Sequence, residues 1–389
     1  MPRKSNTRSA QGSGTVRQRP DGRWEARYVA GHDPGTGKQI RRSIYGATQK
    51  EVLQKLKQVF AAIDDGTYAA PSRMSIGQWL DIWTAEYLGS VKPGTVRTYK
   101  AQIANHIKPA LGALKLQALN AHSIQAFYNA LQREKGLSAK TIKNVHGVLH
   151  GALEQAADLD YIRFNPADKC KLPRIEKPEL QVLPEDKITP FIDAAGQDVY
   201  GTLMYITLFT GLRESEALGL AWDCVDFHKG VIHVRRQLQR IAEADTYQLA
   251  PLKNDKPRLI TPAQTVMQRL RAWSTQQKRD RLRAGAAWDN PLNLVFTNPL
   301  GKNLVQRTLV KKFKDVAAAI GEPALRFHDL RHSYAVNALR SGDDIKTVQG
   351  NLGHHTAAFT LDTYGHVTEE MRQDSADRME RFIQKQKSS

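Results

Sequence analysis

Three prolines, Pro173, Pro178 and Pro184, fall between Lys171 and Pro184. Proline fixes φ, offers no N–H and pushes the preceding residue out of the helical region. Neither a helix nor a central strand can therefore run through this stretch, which reads as an extended connector hinging two lobes. A second break, Thr67 to Arg73 with Pro71, lacks periodicity and reads as a linker. A chain of 389 residues exceeds what one core usually supports. The expected layout is a disordered basic tail at 1–14, a small domain at 15–66, a linker at 67–74, a helical domain at 75–170, a linker at 171–184, a last domain at 185–366 and a C-terminal helix and tail at 367–389.

The segments between the breaks differ in period. Thr15 to Arg19, Arg23 to Val29 and Gln39 to Tyr45 alternate as short strands, separated by Pro20-Asp21-Gly22 and by turn residues from His32 to Gly37. Thr48 and Glu51 form a capping box ahead of Val52, Leu56, Val59 and Ile63, so a helix should back the sheet. From Ser75 to Tyr161 the period is helical, with stripes at Val96, Tyr99, Ile103, Ile107 and at Ile142, Val145, Leu149, Leu153. Past the connector, helices dominate, interrupted by strands at Val231 to Ile241 and Tyr247 to Leu252 and by a polar turn from Lys253 to Arg258. The fold class is multidomain α+β: a three-stranded sheet with a helix, a helical bundle, and a mainly α last domain with a small sheet.

Charge narrows the partner. The chain carries 57 Lys plus Arg against 39 Asp plus Glu, a formal +18, and residues 1 to 46 hold 10 basic and 3 acidic side chains. A concentrated positive excess suits a polyanion. In the first sheet Arg23, Arg27, Arg41 and Arg42 interleave with Trp24, Tyr28 and Tyr45; such a sheet can lie in a major groove, or it can be a solvated face over an aromatic core. In the bundle Lys92, Arg97, Lys100, Lys140 and Lys143 sit near helix starts or on polar faces, where phosphates are favourable partners. Two cysteines, Cys170 and Cys224, cannot build a disulfide framework or a four-thiolate zinc site, which points to a reducing interior, and no apolar run is long enough to cross a membrane.

The chemistry-bearing residues lie in the last domain. Thr210-Gly211-Leu212-Arg213-Glu214-Ser215-Glu216-Ala217-Leu218 follows an apolar helix at Thr202 to Phe209, with Arg213 and Glu216 three apart on one helix face. A guanidinium at a helix start can present its planar fork to a phosphate while a carboxylate behind it sets its rotamer. Lys253 and Lys256 both qualify as a lysine able to reach a substrate. His328-Asp329-Leu330-Arg331-His332 sets His328 and Arg331 on one face; His328 and His332 also have the spacing of a zinc helix, but Arg331 would repel a dication and no third ligand is apparent. Leu352-Gly353-His354 and Leu361-Asp362-Thr363-Tyr364 complete the set. Arg213, Lys253, His328, Arg331, His354 and Tyr364 form a phosphoryl-transfer inventory without a carboxylate cluster for metal.

Taken in order, T-G-L-R-x-x-E-A-L at 210 to 218, H-D-L-R-H at 328 to 332, L-G-H at 352 to 354 and L-D-T-Y at 361 to 364 resemble the tyrosine recombinase family of phage and conjugative-transposon integrases. V-K-P-G-T-V-R-T-Y-K at 91 to 100 is similar to the family's core-binding domain, and the N-terminal sheet resembles its arm-site-binding domain. The resemblance implies a site-specific DNA recombinase in which Tyr364 attacks the scissile phosphate to give a 3′-phosphotyrosyl link. Arg213, Arg331 and His354 would hold the phosphate, Lys253 would protonate the departing 5′-oxygen, His328 would assist proton transfer and Glu216 would support the site. It implies no cofactor, metal or ATP. The partners implied are double-stranded DNA with core and arm-type attachment sites, a homotetramer on DNA, and an excisionase or host DNA-bending protein, with no membrane, in the cytoplasm of a bacterial host at the nucleoid. A type IB topoisomerase-like enzyme and a non-catalytic DNA-binding regulator are the alternatives. Met371, Met379, Phe382 and Ile383 mark a C-terminal helix that could dock on a neighbouring protomer or pack within its own chain.

Overall fold

The computed structural model describes residues 14–32, 36–65, 73–176, 180–241, 246–252, 256–353 and 368–387. The expected tail before Gly14, most of the 67–74 linker, part of the proline connector, and Lys253, His354 and Tyr364 lie outside the described residues. The chain divides into two compact units, 1–177 and 178–389.

The first unit opens with an antiparallel sheet in the order β1-β2-β3, where β1 is Thr15–Gln18, β2 Trp24–His32 and β3 Gln39–Gly46. Helix α1, Gln49–Asp64, packs on one face through Val52 and Leu56 against Ala26 and Tyr28. The Thr48 hydroxyl caps the helix by accepting from the Glu51 N–H; the Glu51 carboxylate reaches back one residue further than the expected box, to the Ala47 N–H.

The period of two splits the arginines that the sequence pattern groups together. Arg27 pairs with Ser43, whereas Arg42 pairs with Tyr28 and so lies on the helix side, and Trp24 packs into the core. Arg23 is tied to Asp21 in the turn. The outer face instead gathers Arg17, Arg27 and Tyr45 around Glu25, a carboxylate only 2% exposed, with Arg41 further along the face on Gln39. Glu25 accepts from Arg17, Arg27 and Ser43, and the Arg17 hydrogen bond, ahead of burial and the others, brings its carboxyl down to about 2.

The bundle comprises α2 (Ile76–Glu86), α3 (Pro93–Gln102), a π-helical turn (Ile103–Ile107), α4 (Lys108–Leu111), α5 (Ala121–Arg133) and α6 (Ala139–Asp158). Its core holds Ile76, Trp79, Leu80, Ile103, Ile107, Ile124, Ile142, Val145, Leu149 and Leu153, and the buried Trp79 indole donates to the Ala152 carbonyl. Lys92 caps α3, Arg97 and Lys100 follow on it, and Lys140 and Lys143 lie in the first turns of α6; all five are exposed.

In the second unit the helices α7 (Ile188–Ala195), α8 (Val199–Thr210), α9 (Glu214–Leu218), α10 (Gln264–Ala284), α11 (Gln306–Ala319), α12 (Asp329–Arg340), α13 (Ile345–Leu352) and α14 (Thr368–Lys387) dominate the described residues. Helix α8 is buried nearly all round, with α7, α10, α11 and α12 packed against it, which is why it reads as uniformly apolar. The expected strand Val231 to Ile241 is two: β5 (Val231–Val234) joins a sheet with β4 (Val225–Asp226) and β8 (Arg258–Ile260), while β6 (Arg236–Ile241) pairs with β7 (Thr246–Pro251). Arg258, expected in a polar turn, starts β8 opposite Val234. Among the described residues no helix is long and apolar enough to cross a membrane.

Candidate functional site

Helix α8 ends at Gly211, whose φ of 65° is left-handed and whose absent Cβ would lie 2.4 Å from Tyr334 and 2.7 Å from Leu352. Only glycine meets both demands without strain. The chain leaves this cap extended, so Arg213 lies at the N-cap of α9 (φ −69°, ψ 153°) rather than on its face, with Glu216 at the third helical position. Glu216 accepts from the Arg213 backbone N–H at 2.9 Å and from Arg213 Nη1 at 2.7 Å. With Glu216 1% exposed this is no surface ion pair.

Glu216 is shared. Arg258 donates from Nη1 to Oε1 at 3.0 Å and from Nη2 to Oε2 at 2.6 Å, and its Nε reaches the Asn351 carbonyl at 2.7 Å. Burial would raise the Glu216 carboxyl, but Arg258 and then Arg213 outweigh it and hold it at about 2. One anionic carboxylate thus organises two guanidiniums. The sequence pattern missed Arg258; the signal available was the strand-like Arg-Leu-Ile that follows Pro257.

Arg331 enters from the first turn of α12, is buried, and donates Nη1 to the Gly211 carbonyl and Nη2 to the Leu352 carbonyl, both at 2.6 Å. Arg213 Nη2 donates to the Gly353 carbonyl at 3.1 Å. The end of α13, capped by the left-handed Gly353, is therefore the point at which Arg213, Arg258 and Arg331 converge.

His328 stands at the N-cap of α12 with its side chain still open to solvent; packing around the ring, then the Arg331 charge, lowers its pKa. His332 is half-buried and brought down to about 4 by burial and then by His328, whose ring it meets edge-on at 5.0 Å. Asp329, the acid a zinc helix would use, is buried and taken up by Arg326 through its backbone N–H at 2.7 Å and its Nη2 at 2.8 Å. These three residues do not fit a dication, with Arg331 in the same turn. The other group of possible ligands among the described residues, His150, Glu154 and Asp168, is also engaged: His150 Nε2 and Asp168 are 2.7 Å apart, and Asn165 donates to Glu154 at 2.8 Å.

A buried carboxylate here holds arginines from distant parts of the chain beside the short hairpins of a mainly helical domain, and comparison gives the family to which such a domain belongs. Residues 181–371 match the phage integrase family and residues 75–132 the N-terminal SAM-like domain of phage integrases, together more than half of the chain. A tyrosine recombinase XerC-like protein of Caldanaerobacter subterraneus subsp. tengcongensis is 28% identical over 360 residues, covering 88% of this chain and 92% of the relative. The ICEBs1 integrase of Bacillus subtilis is 23% identical over 373 residues, covering 95% and 100%. The Tn1549 transposon integrase in complex with transposon right end DNA has a similar fold, with a TM-score of 0.66 at 23% identity, covering 78% of this chain and 99% of that one. A lambda integrase tetramer bound to a Holliday junction gives 0.54 at 18% identity, covering 88% and 96%. The chain belongs to the tyrosine recombinase (phage integrase) family and is a site-specific recombinase.

Proposed function

We propose that the chain cleaves and rejoins DNA through a 3′-phosphotyrosyl intermediate to integrate and excise a mobile element. The observation that carries this reading is the convergence of Arg213 and Arg331 on the adjacent carbonyls of Gly353 and Leu352, immediately before His354. A guanidinium has five N–H donors, so Arg213, tied by Glu216 and Gly353 among the described residues, keeps capacity for a phosphate oxygen. With Arg213, Arg331 and His354 on the non-bridging oxygens, the negative charge those oxygens carry in the transition state is stabilised without a metal. The Tyr364 oxygen then bonds to phosphorus, the bond to the 5′-oxygen breaks, and Lys253, or Lys256 in its place, gives that oxygen a proton while His328 helps to move the phenolic one. The depressed pKa of His328 suits this task, since it leaves the ring neutral near pH 7 and able to accept. The new phosphodiester conserves the bond energy of the old, so resealing by a partner's 5′-hydroxyl needs no ATP.

Exchanging both strands of two duplexes takes four such sites, hence a homotetramer on DNA, in keeping with the lambda tetramer bound to a Holliday junction. Met379, Phe382 and Ile383 on α14 are exposed, as a helix that docks on a neighbouring protomer requires. The exposed Lys92, Arg97, Lys100, Lys140 and Lys143 would hold core-site phosphates, and the outer face of the N-terminal sheet would take an arm-type site. An excisionase or host DNA-bending protein would set direction, in the cytoplasm of a bacterial host.

The test is covalency. A nicked core-site duplex should trap a protein–DNA adduct that survives detergent, Tyr364→Phe should abolish the adduct while leaving binding intact, and EDTA should change neither. An undiminished adduct in Tyr364→Phe would remove Tyr364 as nucleophile. Loss of cleavage with chelator, restored by zinc, would install a metal mechanism.

A further inference from the structure

Arg258 belongs to none of the motifs that carry the family resemblance, yet it is the most enclosed partner of the clamp's carboxylate. Its side chain is 7% exposed. It fills both oxygens of Glu216 from one side while Arg213 fills both from the other, so four donors, three of them on guanidiniums and one a backbone N–H, fix a single carboxylate rotamer. Its Nε holds the Asn351 carbonyl, and its stem lies against Gly353, where an added Cβ would come within 3.0 Å of Arg258 Cδ. Strand β8, helix α9 and the end of α13 thereby meet on one side chain. Lysine could not reproduce this, since an ammonium lacks the planar fork that engages two oxygens and a carbonyl together.

We infer that Arg258 is a positioning residue of the recombination reaction: by locking Glu216 and the Asn351–Gly353 backbone it sets the direction of the Arg213 guanidinium toward the scissile phosphate. This rests on the phosphate-clamp reading of Arg213. The cost of losing it is a clamp that is present but misaimed, and a misplacement of about 1 Å from a remote change is worth on the order of 10²-fold in rate.

The test compares single-turnover cleavage of two core-site duplexes by the full chain, one ordinary and one carrying a neutral methylphosphonate at the scissile position. Removing the charge of a non-bridging oxygen removes the need for the guanidinium that neutralises it. Arg258→Lys should cleave the ordinary duplex about tenfold or more slowly than the parent, and the methylphosphonate duplex at close to the parent's rate. DNA affinity should stay near the parent's on both. Arg258→Gln, which keeps one amide donor for Glu216, should show the same pattern, and because each variant is read as a ratio between substrates, a reduced folded fraction cancels. Equal losses on the two substrates would make Arg258 a general structural support and overturn the inference. Arg213→Ala is the control: if it is relieved on methylphosphonate while both Arg258 variants are not, the inference falls and the clamp stands. If Arg213→Ala is itself unrelieved, the clamp reading falls and takes the inference with it.

Discussion

Arg213 and Arg331 lie 118 positions apart in sequence and donate to neighbouring carbonyls, Gly353 at 3.1 Å and Leu352 at 2.6 Å. The two arginines differ in depth. Arg213 keeps 24% of its side chain exposed, whereas Arg331 is buried and also holds the Gly211 carbonyl at the end of α8. One is a group at the rim of the site and the other is also part of the wall.

Substitution should separate these duties. Arg213→Ala and Arg331→Ala should each slow cleavage by roughly 10²-fold or more, since both remove a donor that counts most in the transition state. Arg331→Ala should cost more stability than Arg213→Ala, because it strands the Gly211 and Leu352 carbonyls, at about 1–3 kcal/mol for each unsatisfied group, whereas without the Arg213 side chain Glu216 keeps both Arg258 bonds and the backbone N–H of residue 213. Single-turnover rates and denaturant midpoints measured on both variants check this. Equal midpoints would mean that Arg331 does not support the wall, and normal cleavage with weak DNA binding would reduce either arginine to a positioning group on the DNA backbone.

His332 predicts an acid-side loss of stability. Folded, its ring is held at about 4, while an unfolded imidazole titrates near 6.5. Above that value both states are neutral and nothing is lost. As pH falls from 6.5 toward 4 the unfolded chain takes up a proton that the folded chain refuses, so stability drops through that window, by about 1–2 kcal/mol at pH 5. His328, also lowered, adds in the same direction. His332→Gln should flatten the decline between pH 7 and 5 in urea midpoints, and a variant that declines as steeply as the parent would refute the assignment to this ring.

What can be read from the sequence follows from the range of the interactions. Arg213 with Glu216 and His328 with Arg331 are local pairs three residues apart, so spacing alone brings them to attention, as it does for the stripe of α6. Arg258 and Glu216 are 42 residues apart, and their meeting depends on how β8 pairs with β5, which no local period encodes. A three-residue strand is also too short to display alternation. The same holds for Glu25: its partners Arg17 and Ser43 lie on two other strands, so local pattern hides the acidic centre of a basic face and groups Arg42 with residues that register sends to the opposite side. The break between β5 and β6 has a similar origin, because Arg235 interrupts the pairing without interrupting the alternation of side chains.

The N-terminal sheet has its own small core of Ala26, Tyr28, Val52 and Leu56, separate from the core of the helical bundle. If this sheet engages a distant DNA site, it raises the local concentration of the remainder at the crossover site, as a tether would. Deleting residues 1–72 should then spare cleavage of a short core-site duplex while removing binding to arm-type sites and impairing recombination between full-length attachment sites. Within the intact chain, Arg27→Ala and Arg41→Ala on the outer face should weaken arm-site binding and lower its salt dependence by about one unit of slope for each phosphate that is no longer neutralised. Arg23→Ala should matter less, because Arg23 gives both Nε and Nη2 to Asp21 in the turn, whereas Arg27 gives Glu25 only its Nε. A sheet that supplies only non-specific affinity would instead lose binding uniformly on every duplex. Binding isotherms over a salt series, on core-only and full-length sites, separate the two, and an equal loss on both would retire the two-site arrangement.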